Sequence, residues 1–444
     1  MSRVSQTLGR VEATFDDDNL IANAGLILPA TLCEVLDVEA VINTKIDLRG
    51  RDGWFQPGRK VLTLMNSMLA GGSHITHANV LRAGSSEQVL SHRVMAPSTV
   101  GTFLRAFSFG HVRQLESVND ALLQRAWSLD TAPVSGAWVV DVDSTICKVH
   151  GRKKQGATFG YTKCRCYHPL LATLADTGEI VHGRLRKGSA NTQRGTKRFV
   201  QESVARCRRA DPARPLTMRF DSGFWSKDTM AELGRLDVRF TMAVKTGNTA
   251  IARAIATIND NAWIPIDYTC DGYAEVADCD YTTGNGKNTV TRRLVVRRTR
   301  LADTEQQKLF PDWRHHAFLT DLAGAAVEVD AFHRQHAVVE LAIKDLKAGA
   351  GLEHLPSGKF SANSAWFQIA VLAHNMIRWT AHLGGHHTDQ LIVARTIRTQ
   401  LFAVPARMVN RARKQILRLP SRWPWADTFN SILNTLRSLD PIPI

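Results

Sequence analysis

The chain has 444 residues, 44% hydrophobic and 22% charged, a balance that excludes a disordered polyelectrolyte and leaves ample material for a buried core. Its net charge of +15 points to a polyanionic partner. There is no secretory leader and no unbroken apolar run long enough for a bilayer, and the seven cysteines, odd in number and irregularly spaced, do not read as a disulfide framework, so a cytoplasmic protein is the default.

Residues 1–130 read as mostly helical and nearly neutral, with 12 Lys/Arg against 13 Asp/Glu. Apolar residues recur at helical spacing over 28–41 and 60–70. Pro97-Ser-Thr99 marks a helix start before 100–107. With the segment 87–93 this gives a helix-turn-helix in which Arg105 and Arg113 meet phosphates, or else plain helix packing.

The pattern changes at residue 136. Residues 137–142 are apolar and β-branched and predict a buried strand. Segments 167–174 and 179–185 flank the turn signal Asp176-Thr-Gly178 as a hairpin. A helix over 197–209, a strand over 216–220, a helix over 227–236 and a strand over 238–244 follow. The order resembles the mixed-sheet α/β architecture of ribonuclease H. Residues 246–330 break the alternation and read as a mostly β insertion, with a hairpin turning at Gly284-Asn-Gly286 and a short strand over 316–320. A helix over 330–348 stops at Gly349 and Gly351, and a second covers 364–382. The tail, 391–444, has helical stretches broken by Pro405, Pro420 and Pro424. The expected division is a helical DNA-binding domain (1–130), a catalytic domain in two parts (131–245 and 331–385), a β-rich insertion between them (246–330) and a helical C-terminal region (386–444).

Four acidic positions carry chemistry. In Asp141-Val-Asp-Ser-Thr145 the two aspartates lie two apart on a strand and share one face. Three readings stay open for this run: a two-metal phosphoryl-transfer site, a haloacid-dehalogenase-type phosphatase using Asp141 and Asp143, or aspartates that cap a turn. Asp221 ends a second strand with no further acid until Asp228, which is unlike such a phosphatase. Glu340 stands in a helical stripe with His333, His336, Lys344 and Lys347, four groups able to bind phosphate. The bland reading of Glu340 and Lys344 is a helix-stabilising pair. Carboxylates from two strands and a helix suit Mg²⁺, with Mn²⁺ as a substitute, because a pair of such ions about 3.5–4 Å apart clamps both attacking and leaving oxygens.

Basic charge is concentrated at 148–214, with 16 Lys/Arg against 4 Asp/Glu, and at 361–444, with 10 against 3. Arg152-Lys-Lys154 reads as a phosphate-contact loop, or else as a solvated turn. Cys164 and Cys166 with Cys147 or His150 lack the paired spacing of ordinary zinc sites.

Together these residues resemble the DDE-type bacterial insertion-sequence transposases, whose glutamate sits in a Tyr-x2-Arg-x3-Glu-x6-Lys signature. The frame here is His333-x2-His336-x3-Glu340-x6-Lys347, with histidine in place of tyrosine and of arginine. Histidine still donates to phosphate but lacks the bidentate fork of arginine. Tyr167-His-Pro-Leu170, Arg184-Leu-Arg-Lys-Gly188, Asp221-Ser-Gly-Phe224 and Ser98-Thr-Val-Gly-Thr-Phe-Leu104 are also similar. The resemblance implies Asp143, Asp221 and Glu340 as catalytic metal ligands, with Asp141 as the alternative to Asp143. It implies DNA contacts by Lys347 and by the matching Arg184, Arg186 and Lys187, beside the stripe residues and Arg152, Lys153 and Lys154. It gives the insertion a DNA hairpin and a flipped base to hold, with Trp313 as a stacking candidate and His316 nearer the family's stacking position. The implied function is a DNA transposase that cleaves element ends and joins 3′-hydroxyls to target DNA by two-metal phosphoryl transfer. Double-stranded DNA (terminal inverted repeats and target), a homodimer on DNA, no membrane and a bacterial, nucleoid-associated cytoplasmic setting go with it. The alternatives are an inactive domesticated DNA-binding relative and the phosphatase.

Overall fold

The computed structural model describes residues 11–131, 136–160, 163–268, 272–283, 289–301, 313–386 and 391–442. The N-terminal part is helical: α1 (Ile27–Val35), α2 (Val38–Lys45), α3 (Pro57–Leu69), α4 (Pro97–Ala106) and α5 (Phe109–Ala126). The single helix expected over 28–41 is two, because Asp37 takes a left-handed conformation (φ 50°) between them. Prolines stand at the first turns of α3 and α4, where their missing N–H costs no hydrogen bond. The segment before α4 forms only a short helix, Ser86–Leu90.

A nine-stranded mixed sheet follows. Its strands in chain order are β1 (Trp138–Ser144), β2 (Leu170–Leu174), β3 (Ile180–Arg184), β4 (Leu216–Phe220), β5 (Arg239–Val244), β6 (Ile264–Ile266), β7 (Gly272–Thr283), β8 (Val290–Leu301) and β9 (Arg314–Thr320). Across the sheet they run β6-β7-β8-β9-β5-β4-β1-β2-β3. β1 pairs antiparallel with β2 and parallel with β4, and β4 is parallel to β5. The helices α6 (Thr196–Ala210) and α7 (Lys227–Arg235) make the crossovers between strands. Every residue of β2 and β4 is buried, as expected for strands covered on both faces. The β-rich stretch expected as an insertion extends this sheet, through antiparallel pairing of β9 with β5. Its Gly284-Asn-Gly286 turn lies outside the described residues.

The helix expected over 330–348 is two helices, α8 (Ala326–Arg334) and α9 (Val338–Gly349), joined by a tight turn at Gln335–Ala337. α8 seals the far half of the sheet with a small apolar cluster of Val276, Val295, Phe318, Ala326 and Val329. The longest helix, α10 (Phe360–Leu383), is buried on all sides and packs against α3, α4, α5, α9 and β3. It approaches β3 closely at Gly183, where a Cβ would lie 2.9 Å from the Phe367 ring.

The tail also differs from expectation. Besides α11 (Ala426–Ser438) it carries a β-hairpin, β10 (Ala406–Arg411) and β11 (Lys414–Arg418), where helix was expected. β10 pairs with Leu20–Ile21, so the tail is stitched to the N-terminal helices. Edge pairing decides this, and local propensity does not record it. Among the described residues no helix is long and apolar enough to cross a membrane.

Candidate active site

The site forms where β1 and β4 end side by side. Trp138, Val140 and Val142 point into the core, and Asp141 and Asp143 share the opposite face. The parallel register pairs Asp141 with Arg219 and Val142 with Phe220, so the next step brings Asp143 level with Asp221. The C-terminal edge of parallel strands is where open α/β sheets place their sites.

The two aspartates of β1 have different fates. Asp141 is buried, and Arg219 grips both its oxygens, Nε to Oδ1 at 2.7 Å and Nη2 to Oδ2 at 2.8 Å. His336 Nδ1 lies 2.7 Å from Asp141 Oδ1. Arg219 also donates to the Phe332 carbonyl at 2.7 Å and packs over the Phe332 ring. This cluster clamps the end of α8, and so the start of α9, against the sheet. A carboxylate so enclosed is not free to act as a nucleophile or proton shuttle, which removes the phosphatase chemistry.

Asp143 is half-buried and has no cationic side chain bonded to it among the described residues. Its Oδ1 accepts from the Ser144 N–H at 2.6 Å. Burial pushes its pKa up to about 6, the nearby Asp221 and Glu340 carboxylates push the same way, and the Ser144 N–H and His336 oppose them. Asp221 is exposed, and its Oδ1 accepts from the Ser222 N–H at 2.5 Å, capping the short turn Ser222–Phe224. Glu340 is exposed in the first turn of α9, which packs against β1. The chain thus brings Asp143, Asp221 and Glu340 within electrostatic reach of one another, although their oxygens do not all lie within 4.8 Å.

Among the described residues one acidic cluster is tighter, Glu116, His182 and Glu202, whose ligand atoms all lie within 4.8 Å. It is filled by guanidinium groups. Arg113 and Arg184 each pair with both glutamates, and Arg198 also bonds Glu202. Burial works against ionisation of Glu202, yet the bonds from His182 and Arg113 and the charge of Arg184 hold its pKa far below the usual range. A metal would have to displace two cations, so this cluster is a cross-link between α5, β3 and α6.

The phosphate-binding candidates divide. Arg184 belongs to that cross-link, as does Arg113, so both are corrected to structural ion pairs. Arg186 is buried and donates to the carbonyls of His168, Asn191, Thr192 and Arg194, which excludes it as a phosphate ligand. Burial, with the charge of Arg194, lowers its pKa to about 10. The turn between α8 and α9 breaks the expected stripe. His336 goes to Asp141, and His333 Nδ1 sits 2.7 Å from the Thr241 hydroxyl, stacked on Phe318. Burial, then the neighbouring His336, takes the His333 pKa down to about 3, so it is a neutral packing residue. Lys347 reaches back to the end of β1, donating to the Ile146 carbonyl at 2.9 Å and to Thr145 Oγ1 at 3.4 Å. Lys344, Arg152, Lys153 and Lys187 are exposed. Lys154 bonds the carbonyls of Leu355 and Ser357. Trp313 lies in a cation–π cluster, with the guanidinium of Arg298 4.5 Å and that of Arg300 5.3 Å from its ring, beside Tyr273.

Two supporting residues were not singled out in the sequence. Arg219 follows Asp141 by 78 residues, as Asp221 follows Asp143, and that equal spacing was the available signal. His168 donates from Nδ1 to the Ala190 carbonyl at 2.7 Å, which leaves Nε2 to accept from the Ser144 hydroxyl at 2.9 Å. It fixes the backbone beside Asp143. A cavity of about 650 Å³ opens from Asp221 toward Lys245, Arg297 and His316.

The family model described as transposase DDE domain group 1 matches residues 5–441. A search of curated proteins found no match. Among solved structures, a piggyBac transposase synaptic complex with hairpin DNA is similar at 11% identity, with a TM-score of 0.46 over 86% of this chain and 79% of that one.

Proposed function

The chain belongs to the transposase DDE domain group 1 family, and from that premise we propose a metal-dependent DNA transposase of the bacterial insertion-sequence type with Asp143, Asp221 and Glu340 as catalytic carboxylates. One observation carries the choice of residues. Asp141 is closed off by Arg219, whereas Asp143 stands uncompensated and level with Asp221 at the open end of the sheet. The strand order β3-β2-β1-β4-β5, antiparallel on one side of β1 and parallel on the other, supports a ribonuclease H-like core.

The family implies divalent metal use, and the donor set fits it. Three carboxylates suit hard cations, Mg²⁺ or Mn²⁺. Asp143, Asp221 and Glu340, whose charges act on one another, would hold the cations. When bound, such ions supply Lewis-acid activation of water and of a 3′-hydroxyl. The protein's own part is positioning and charge. His168, Ser144 and the Asp141–Arg219–His336 cluster fix the carboxylates, and Lys347 offers its ammonium to the phosphodiester. Lys344, Arg152, Lys153 and Lys187 take more distant phosphates. Trp313, held by the guanidiniums of Arg298 and Arg300, is the candidate to stack on an unpaired base. The partners are the terminal inverted repeats and a target duplex, engaged by a homodimer, and the setting is the nucleoid.

The test is cleavage of DNA carrying the sequences that flank the reading frame. Strand cleavage is expected with Mg²⁺ or Mn²⁺ and none with EDTA. Cleavage that ignores EDTA, or intact DNA with both metals, rejects the reading.

Metal binding should also depend on pH. Asp143 has a raised pKa, so the stability due to its protonated form is present below its unfolded value and fades as pH rises toward about 6. A cation restores stability only where the carboxylate is ionised. Saturating Mg²⁺ is therefore expected to raise the melting temperature clearly at roughly pH 7.5 and little at roughly pH 5, with about 3 kcal/mol available at a hundredfold excess over Kd. Equal shifts at both pH values would contradict this.

A further inference from the structure

We propose that a second, basic cavity receives the phosphodiester backbone of the bound DNA strand as it leaves the carboxylate cluster; this rests on the transposase reading above. The cavity holds about 670 Å³ and lies between Ser73 and His74, the segment 146–154, Lys347 of α9 and residues 353–355 after it. Lys148, Lys154, Lys347, His74 and His354 face it, against one carboxylate, Glu353.

Among the described residues none of the three ammonium groups makes an ion pair. Lys154 and Lys347 are held by main-chain carbonyls, which orient a cation without neutralising it. Burial without a counter-charge lowers the Lys154 pKa. The side chains are pre-set as well: His74 and His354 stack at 3.9 Å, and Ser73 Oγ lies 2.9 Å from His74 Nδ1. Three lysines, two from the segment 146–154 and one from α9, exceed what one small anion neutralises, and this argues for a polyanion. Continuity names which polyanion. Ile146 forms part of the wall just beyond β1, and Lys347 lies both at the strand end and in the cavity, so a strand seated on Lys347 runs on into it.

The test uses the full chain and a fluorescent duplex of arbitrary sequence, with anisotropy read over a salt series in the absence of divalent metal. Lys148 is exposed, so Lys148→Ala is expected to fold normally, weaken binding and reduce the slope of log K against log salt by about 1. Lys148→Arg should restore both, and His74→Ala should weaken binding at an unchanged melting temperature. Unchanged affinity and slope in Lys148→Ala and Lys148→Glu overturn the proposal. Protection of the wild type from heating by inorganic phosphate, with duplex binding unaltered in Lys148→Ala, also overturns it and assigns the cavity to a small anion. The two readings fail separately. A wild type that cleaves DNA yet ignores the charge at 148 removes only this subsite, whereas one that binds no duplex removes both.

Discussion

The Asp143→Asn protein is expected to lose DNA cleavage by about 10³-fold or more while keeping its fold. Asparagine retains the shape but not the negative charge, and losing roughly 4 kcal/mol of transition-state stabilisation corresponds to about that factor. Its melting temperature should stay level or rise, because the native carboxylate is disfavoured by burial and by two like charges. Asp141→Asn, two residues away on the same face, should do the reverse. It removes the charge that balances a buried guanidinium, so stability falls, while the protein that remains folded still cuts. Single-turnover cleavage of labelled duplex beside thermal melts of both variants separates them. An inactive but stable Asp141→Asn with an active Asp143→Asn would exchange their roles.

The second large effect is on stability. Arg219 and Asp141 are each 1% exposed, and Arg219 ties β1, β4 and the end of α8 together. Arg219→Met leaves a buried carboxylate with only His336 as partner. Breaking such a pair from one side costs about 3–5 kcal/mol, whereas replacing both members with apolar groups is often near neutral. Arg219→Met is therefore expected to lower the melting temperature by roughly 10 °C. Asp141→Leu combined with Arg219→Met should recover most of that loss. A double variant as unstable as the sum of its parts would show that the pair does not act as a unit. The double variant also reports on positioning: with α8 untied from the sheet, cleavage should stay low even where stability returns.

Several features were legible in the sequence because they are local. The apolar β-branched run over 137–142 and the short stretch 216–220 between turn signals predicted strands, since such short runs bury well in a sheet. The same runs fixed where Asp143 and Asp221 had to appear. The break between α8 and α9 was not legible, because the chain there keeps a helical pattern while tertiary contacts pull His336 to Asp141 and His333 to Thr241. Arg184 and Arg186 looked like phosphate ligands for a similar reason. A positive side chain in sequence does not say whether a carboxylate or a ring of carbonyls is waiting for it in space.

By itself the sequence determined the alternation of strands and helices, the basic balance and three widely separated carboxylates, because periodicity and residue chemistry are properties of neighbours along the chain. Only the tertiary structure decided which aspartate of β1 is open, since that depends on Arg219 standing opposite Asp141 in a parallel register. It also decided that the insertion extends the main sheet and that the tail joins the N-terminal helices. Those outcomes follow from pairing between distant segments, which no local pattern encodes.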